Sequence, residues 1–244
     1  MQQVFCRFAK GEAVKYISHL DLMRALERGM RRARLPLEHS QGFNPRPRVS
    51  YASALSVGHT SEAELMVIGL SRPMDPTALR ETLNASLPEG LQIVQAWAEP
   101  PHKQKTSLGD IDTAEYAVTV EGMLEEVDVE KRAAEFMSRD EAWITRVRDK
   151  GSKDLDLRPL VGAVSVVRAD AQLAELHLRL RTGSSGGARV EEVLEALGIS
   201  GRGFWVRIHR SALYASGSSG RAARQKLRRM LGAPDRGRGG KKRG

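Results

Sequence analysis

The chain has 244 residues, 41% of them hydrophobic, 28% charged and 5% aromatic, enough for one large domain or two small ones with cores of their own. No stretch nears the roughly 18 consecutive apolar residues of a membrane-spanning helix. The N-terminal MQQVFCRFAKGEAV also lacks a signal-peptide core, so a cytoplasmic location without membrane contact is expected. A single cysteine, Cys6, excludes an intramolecular disulfide and any cysteine-built zinc or iron–sulfur site within the chain.

Residues 3–9 read as a strand, with Cys6 as a buried thiol in the apolar run Val4, Phe5, Phe8. Ser18, with Asp21 three residues on, has the pattern of a helix cap. The helix it opens is expected to run to about Arg34 and stop before Pro36. Turn chemistry fills 37–61, and 64–70 is a strand. Asp75-Pro76 opens a second helix reaching about Leu87, closed by Gly90, and 91–98 is a strand. The second half follows the same order: a strand at 115–120, an amphipathic helix over 124–138 and strands near 142–148, 154–158, 161–168 and 173–181. A helix over 188–198, capped by Gly198, and a strand over 204–213 complete it.

Each half thus reads β-α-β…β-α-β. The expected fold is α+β: two tandem ferredoxin-like (split βαβ) domains with antiparallel sheets, over 1–100 and 113–214. A linker spans 101–112. A basic helix (221–231) and a disordered basic tail occupy 215–244.

The net charge of +9 is unevenly spread. Residues 1–50 carry +6 and 221–244 carry +9, while 51–220 carry −6. Basic ends around an acidic middle point to a polyanion met by particular surfaces.

On the first helix Leu22 or Met23, with Leu26, Met30 and Ala33, forms the core stripe. Arg24, Arg28 and Arg31 fall on another face beside Arg32 and Arg34, with only Glu27 to neutralise them. The choice is between a solvated cationic face and phosphate contact, for which the arginine fork is suited. In the loop Gln41-Gly42-Phe43-Asn44-Pro45-Arg46-Pro47-Arg48, an aromatic lies among base-edge-reading side chains, a composition suited to single-stranded RNA. The competing reading folds Phe43 into the core and makes Asn44-Pro45 a plain turn. Tyr16, Ser18, His19 and Asp21 cluster at a helix start. They could hold a phosphate, supply an acid or base through His19 and Tyr16, or simply cap the helix. The six histidines lack metal-ligand spacing, so no metal site is expected. Glu62 or Glu64 is expected to pair with a first-helix arginine, and Asp154, Asp156 and Arg158 to face solvent.

Tyr16-Ile17-Ser18-His19-Leu20-Asp21, Leu35-Pro36, Ser40-Gln41-Gly42-Phe43-Asn44-Pro45, Gly58 and Ser61-Glu62, with a weaker match at Asp156-Leu157-Arg158-Pro159, resemble the radical-SAM-linked bacterial protein family. The resemblance implies a companion to a radical SAM enzyme, encoded near ribonuclease E/G and ribosomal-protein genes. S-adenosylmethionine and the iron–sulfur cluster would belong to the partner, and no cofactor to this chain. The expected function is a non-catalytic RNA-binding accessory protein acting on tRNA, rRNA or a ribosomal component. A metal-independent RNA-processing nuclease and a pure docking subunit are the alternatives.

Overall fold

The computed structural model describes residues 1–98, 108–125, 127–148, 151–183 and 186–216. The expected basic helix, the tail beyond it and most of the linker lie outside these residues.

The first half contains β1 (Gln2–Lys10), α1 (His19–Arg32), β2 (Val49–Tyr51), β3 (Thr60–Leu70), α2 (Pro76–Asn84) and β4 (Leu91–Ala98). α1 starts at Ser18, whose hydroxyl accepts from the Asp21 N–H, and buries Leu22, Leu26, Gly29 and Met30 at helical spacing. It ends two residues sooner than expected, because Arg34 takes a positive φ of 50° and leaves the helical region. α2 opens on the Asp75 side-chain cap with Pro76 in its first turn.

The second half contains β5 (Thr113–Gly122), α3 (Val129–Ser138), β6 (Trp143–Arg148), β7 (Gly151–Asp156), β8 (Val161–Ala169), β9 (Leu173–Arg181), α4 (Val190–Ala196) and β10 (Phe204–Tyr214). The helix expected from Leu124 begins only at Val129, where Asp128 caps the Lys131 N–H. Leu124 and Val127 make a turn instead, and the Leu124 N–H donates to Ala171 O at 2.8 Å. The strand expected over 154–158 ends at Asp156, and a short 3-10 turn follows at Arg158–Leu160.

The chain is α+β, with four helices and mainly antiparallel pairing among the described residues. It does not form two separate sheets. One eight-stranded sheet runs β4-β1-β3-β10-β5-β9-β8, with β2 also on β3, and β6–β7 is a hairpin apart from it. The join is parallel: β10 pairs with the start of β3 at His209↔Thr60 and Arg210↔Ser61. β3 starts at Thr60, four residues before the strand expected over 64–70, and this added segment is the one that unites the halves.

Two cores flank this join. One gathers α1 and α2 against β1, β3 and β4, and the other gathers α3 and α4 against β5, β8, β9 and β10. β3 serves both: Met66, Ile68 and Leu70 enter the first core, while Leu65, pointing the opposite way, enters the second. Cys6 is fully buried, as expected.

Candidate functional site

The 41–48 loop is the tip of a narrow hairpin laid against the end of β3. Leu37 bridges Leu70, and His39 bridges Pro47. The Gly69 N–H donates to Arg48 O, the Arg48 N–H to Glu38 O and the Ser40 N–H to Arg46 O, each at 2.8 Å. Pro47 is buried at the base, while residues 41–46 are exposed. Gly42 turns the tip with a φ of 131°, which disfavours a side chain. Phe43 does not fold back into the core. Its ring is fully exposed.

Along α1, Arg24, Arg28 and Arg31 all face solvent. Arg24 lies 3.3 Å from Asp21, and Arg48 lies 3.3 Å from Glu38. Among the described residues, Arg28, Arg31 and Arg46 have no ion pair. The helix leads from the end of β1 toward the hairpin, since Leu37, five residues past Arg32, already bridges Leu70. Arg24, Arg28 and Arg31 therefore lie along the chain between the two clusters that the sequence singled out, over about 10 Å of helix.

Those clusters are not one site. Tyr16, Ser18, His19 and Asp21 lie at the Lys10 end of β1, where the Lys10 Nζ donates to Lys15 O at 2.8 Å and to Ile17 O at 3.4 Å. The Gly58 N–H also donates to Lys15 O, at 2.8 Å. From Tyr51, beside His19, the hairpin runs eight residues to Phe43, up to about 25 Å at strand rise. Ser18 is occupied as the α1 cap, its hydroxyl donating to Asp21 Oδ2 at 2.8 Å.

Tyr51, rather than Tyr16, stands edge-on to the His19 ring, with centroids 6.0 Å apart. Tyr16 is exposed beneath the Lys15 ammonium. The His19 Nδ1 and the Tyr51 hydroxyl are both buried and have no hydrogen-bond partner among the described residues. Burial chiefly holds His19 below the usual imidazole range; Glu64 opposes this, and Lys10 and Arg210 add to it. Burial, with Glu27 adding, raises the Tyr51 phenol above its ordinary value. A neutral imidazole and a neutral phenol result.

Behind them lies a polar cluster buried at the join. Arg210 Nη1 donates to both Glu64 oxygens at 3.1 and 3.3 Å, Nη2 donates to Ala54 O at 3.0 Å, and Nε and Nη2 reach the Tyr116 hydroxyl. Burial works against the Arg210 charge, but Glu64 and Tyr116 outweigh it and hold the guanidinium protonated beyond the ordinary arginine range. Burial also lowers Lys10, against the pull of Glu64 and with the push of Arg210. Glu64 therefore pairs with β10, not with a first-helix arginine as expected.

Asp156 and Arg158 are structural rather than solvent-facing. Asp156 accepts from the Ala142 and Arg158 N–H groups, and Arg158 donates to Val161 O and Met137 O. They clasp the β6–β7 hairpin to α3.

A family model described as an uncharacterized protein conserved in bacteria (DUF2344) matches residues 3–190. The chain belongs to that family. The DUF2344 match takes in both sequence clusters and Glu64 but stops short of β10 and Arg210. No curated protein matches the chain.

Among solved structures, the DUF2344 chain is similar to a chain of an H/ACA ribonucleoprotein bound to a substrate RNA containing 2'-deoxyuridine, at 11% identity and a TM-score of 0.45. Chains of a Cbf5-Nop10-Gar1 complex (11%, 0.44) and of the archaeal box H/ACA Nop10-Cbf5 complex (9%, 0.42) are comparable. In each case 85% of this chain is covered, and it spans less than half the length of the other, 46 to 47%.

Sequence reasoning missed Lys10, Tyr51, Tyr116 and Arg210. Each is a lone polar residue in an apolar strand pattern, and that is the signal that could have found them: a charge on the inward side of a strand requires a buried partner.

Proposed function

We propose that this DUF2344 chain is a non-catalytic RNA-binding accessory protein that works with a radical SAM enzyme on tRNA, rRNA or a ribosomal component. The observation that carries this reading is the fully exposed Phe43 on a hairpin tip, with unpaired Arg46 beside it and unpaired Arg28 and Arg31 on the helix leading to it. A fully exposed phenyl ring on a short, proline-stiffened tip offers a stacking platform, and an unpaired base supplies a flat partner. Gln41 and Asn44 would read that base's edge, and the arginines would hold flanking phosphates. The partnership itself rests on the motif resemblance, and S-adenosylmethionine chemistry would reside in the partner. The strand orders β4-β1-β3-β2 and β10-β5-β9-β8, each with two helices, support reading both halves as split βαβ units that share a sheet.

The test is fluorescence anisotropy of the full chain with a labelled single-stranded oligoribonucleotide across a salt series. Phe43→Ala is expected to weaken binding by ~1–3 kcal/mol. Arg28→Ala/Arg31→Ala should lower the salt slope by about 1.4, two phosphate contacts at roughly 0.7 each. Affinity and slope unchanged in both variants would sink the RNA reading. Retention of a radical SAM enzyme after nuclease treatment, with no RNA enriched, would make the same surface a protein-docking face.

A further inference from the structure

Between the halves lies a cavity of about 430 Å³, apart from the hairpin tip and the α1 start and floored by Arg210 and Tyr116 of the join. Its walls carry His59, Arg146, Arg189 and Arg210 with the hydroxyls of Ser53 and Thr182, and among the described residues no carboxylate lines it. The carboxylates that pair with these groups do not line this cavity. Glu64 holds Arg210, Glu192 takes Arg146 Nε and Nη2 at 2.6 Å each, and Glu191 takes His59 Nε2 at 2.7 Å. The guanidinia and imidazole are thus fixed in place while their other sides line the empty volume.

Arg189 differs from the rest. Its backbone N–H donates to Glu192 at 2.9 Å, which fixes where the side chain departs, while its guanidinium is exposed and has no ion pair among the described residues. Arg146 Nη1 likewise has no protein partner among them. The Ser53 and Thr182 hydroxyls, 2.9 Å apart, meet across the halves, and either can turn its proton toward a guest. A volume lined by cations and hydroxyls, with no acid facing it, suits an anion with several oxygens.

The cavity shares Ser56, Arg146 and Arg189 with an outer cleft of about 1020 Å³. The cleft's wall carries the exposed ring of Trp143, and its other charged groups include Glu191, Glu192 and Glu195. An anionic group is drawn inward, and an uncharged aromatic body fits outside against the indole. We infer that the seam between the halves binds a nucleoside phosphate, with its phosphate monoester toward Arg189 and Arg146 and its base against Trp143. This site is separate from the Phe43 tip and does not depend on the RNA reading. The same monoester could come from a free nucleotide or from the 5' end of an RNA.

Calorimetric titration of the full chain with AMP, inorganic phosphate, adenosine and a 5'-phosphorylated oligoribonucleotide tests this. AMP and phosphate are expected to bind and adenosine to bind at least about tenfold more weakly than AMP. Arg189→Ala should weaken AMP about tenfold, with the unligated melting temperature unchanged because the side chain is exposed. Trp143→Ala should weaken AMP and leave phosphate unaffected. Arg28→Ala/Arg31→Ala should leave AMP binding intact whether or not it disturbs RNA. If AMP is inert while the 5'-phosphorylated strand binds through Arg189, the phosphate site stands and its source is an RNA end. Failure of every phosphate probe to bind, or binding that Arg189→Ala leaves untouched, would overturn the site.

Discussion

Cys6 illustrates how a single residue's surroundings set its chemistry. It is fully buried between Val4 and Phe8 on the inward face of β1, and burial pushes its thiol up to about 12. In the unfolded chain the thiol ionises first, so between about pH 9 and 12 the unfolded state holds fewer protons than the folded one. Stability from this residue is complete below pH 9 and falls as pH rises through that window. The expected slope is about 1.4 kcal/mol per pH unit relative to a Cys6→Ala variant, read from urea midpoints at stepped pH. A wild-type curve parallel to the variant's would mean that the thiol is not desolvated. Below that window native Cys6 should also resist alkylation, since the thiolate is the nucleophile.

At the scale of elements, α1 separates structural from binding roles along one helix. Ser18 closes its start by accepting from the Asp21 N–H and donating to the Asp21 carboxylate, whose other oxygen takes Arg24. Ser18→Ala is expected to cost ~1 kcal/mol, measured by chemical denaturation, because one N-terminal N–H loses its partner. RNA affinity should stay within about twofold of wild type, since the cap lies far from Phe43. A large loss of affinity with unchanged stability would move the binding site to the helix start. The hairpin at 37–49 follows similar logic. Its base is tied to β3 by backbone bonds, and its tip is left to solvent. The composition of 41–48 made the loop legible, because glycine and proline mark turns and an aromatic among polar residues is unusual. Whether Phe43 turned inward or outward was a question of packing, decided by Pro47, not Phe43, filling the space at the base.

For the whole molecule, the join between β3 and β10 is the decisive feature. It buries Lys10, Glu64 and Arg210, and the Glu64–Arg210 pair forms only when both halves are in place. Glu64→Gln leaves two buried cations without their counter-charge, and the expected loss is roughly 3–5 kcal/mol. Because the cluster spans the halves, wild type should unfold in one calorimetric transition, and the variant in one at lower temperature or in two separated ones. Two independent transitions in the wild type would mean that the join contributes little to cooperativity.

Local chemistry determined much of this protein directly from its sequence. Caps at Ser18 and Asp75, strand alternation and turn residues act over a few positions, so most element types and the exposed arginine face of α1 were readable, whereas the Asp128 cap was not. The burial of Cys6 was readable for the same reason: its apolar neighbours are adjacent in sequence. What only the tertiary structure decided depends on partners far apart along the chain. Glu64 meets Arg210 across 146 positions, and Ser53 meets Thr182 across 129. No local pattern specifies such a pairing, because the free energy that selects it comes from desolvating both groups at once when the halves close into one sheet.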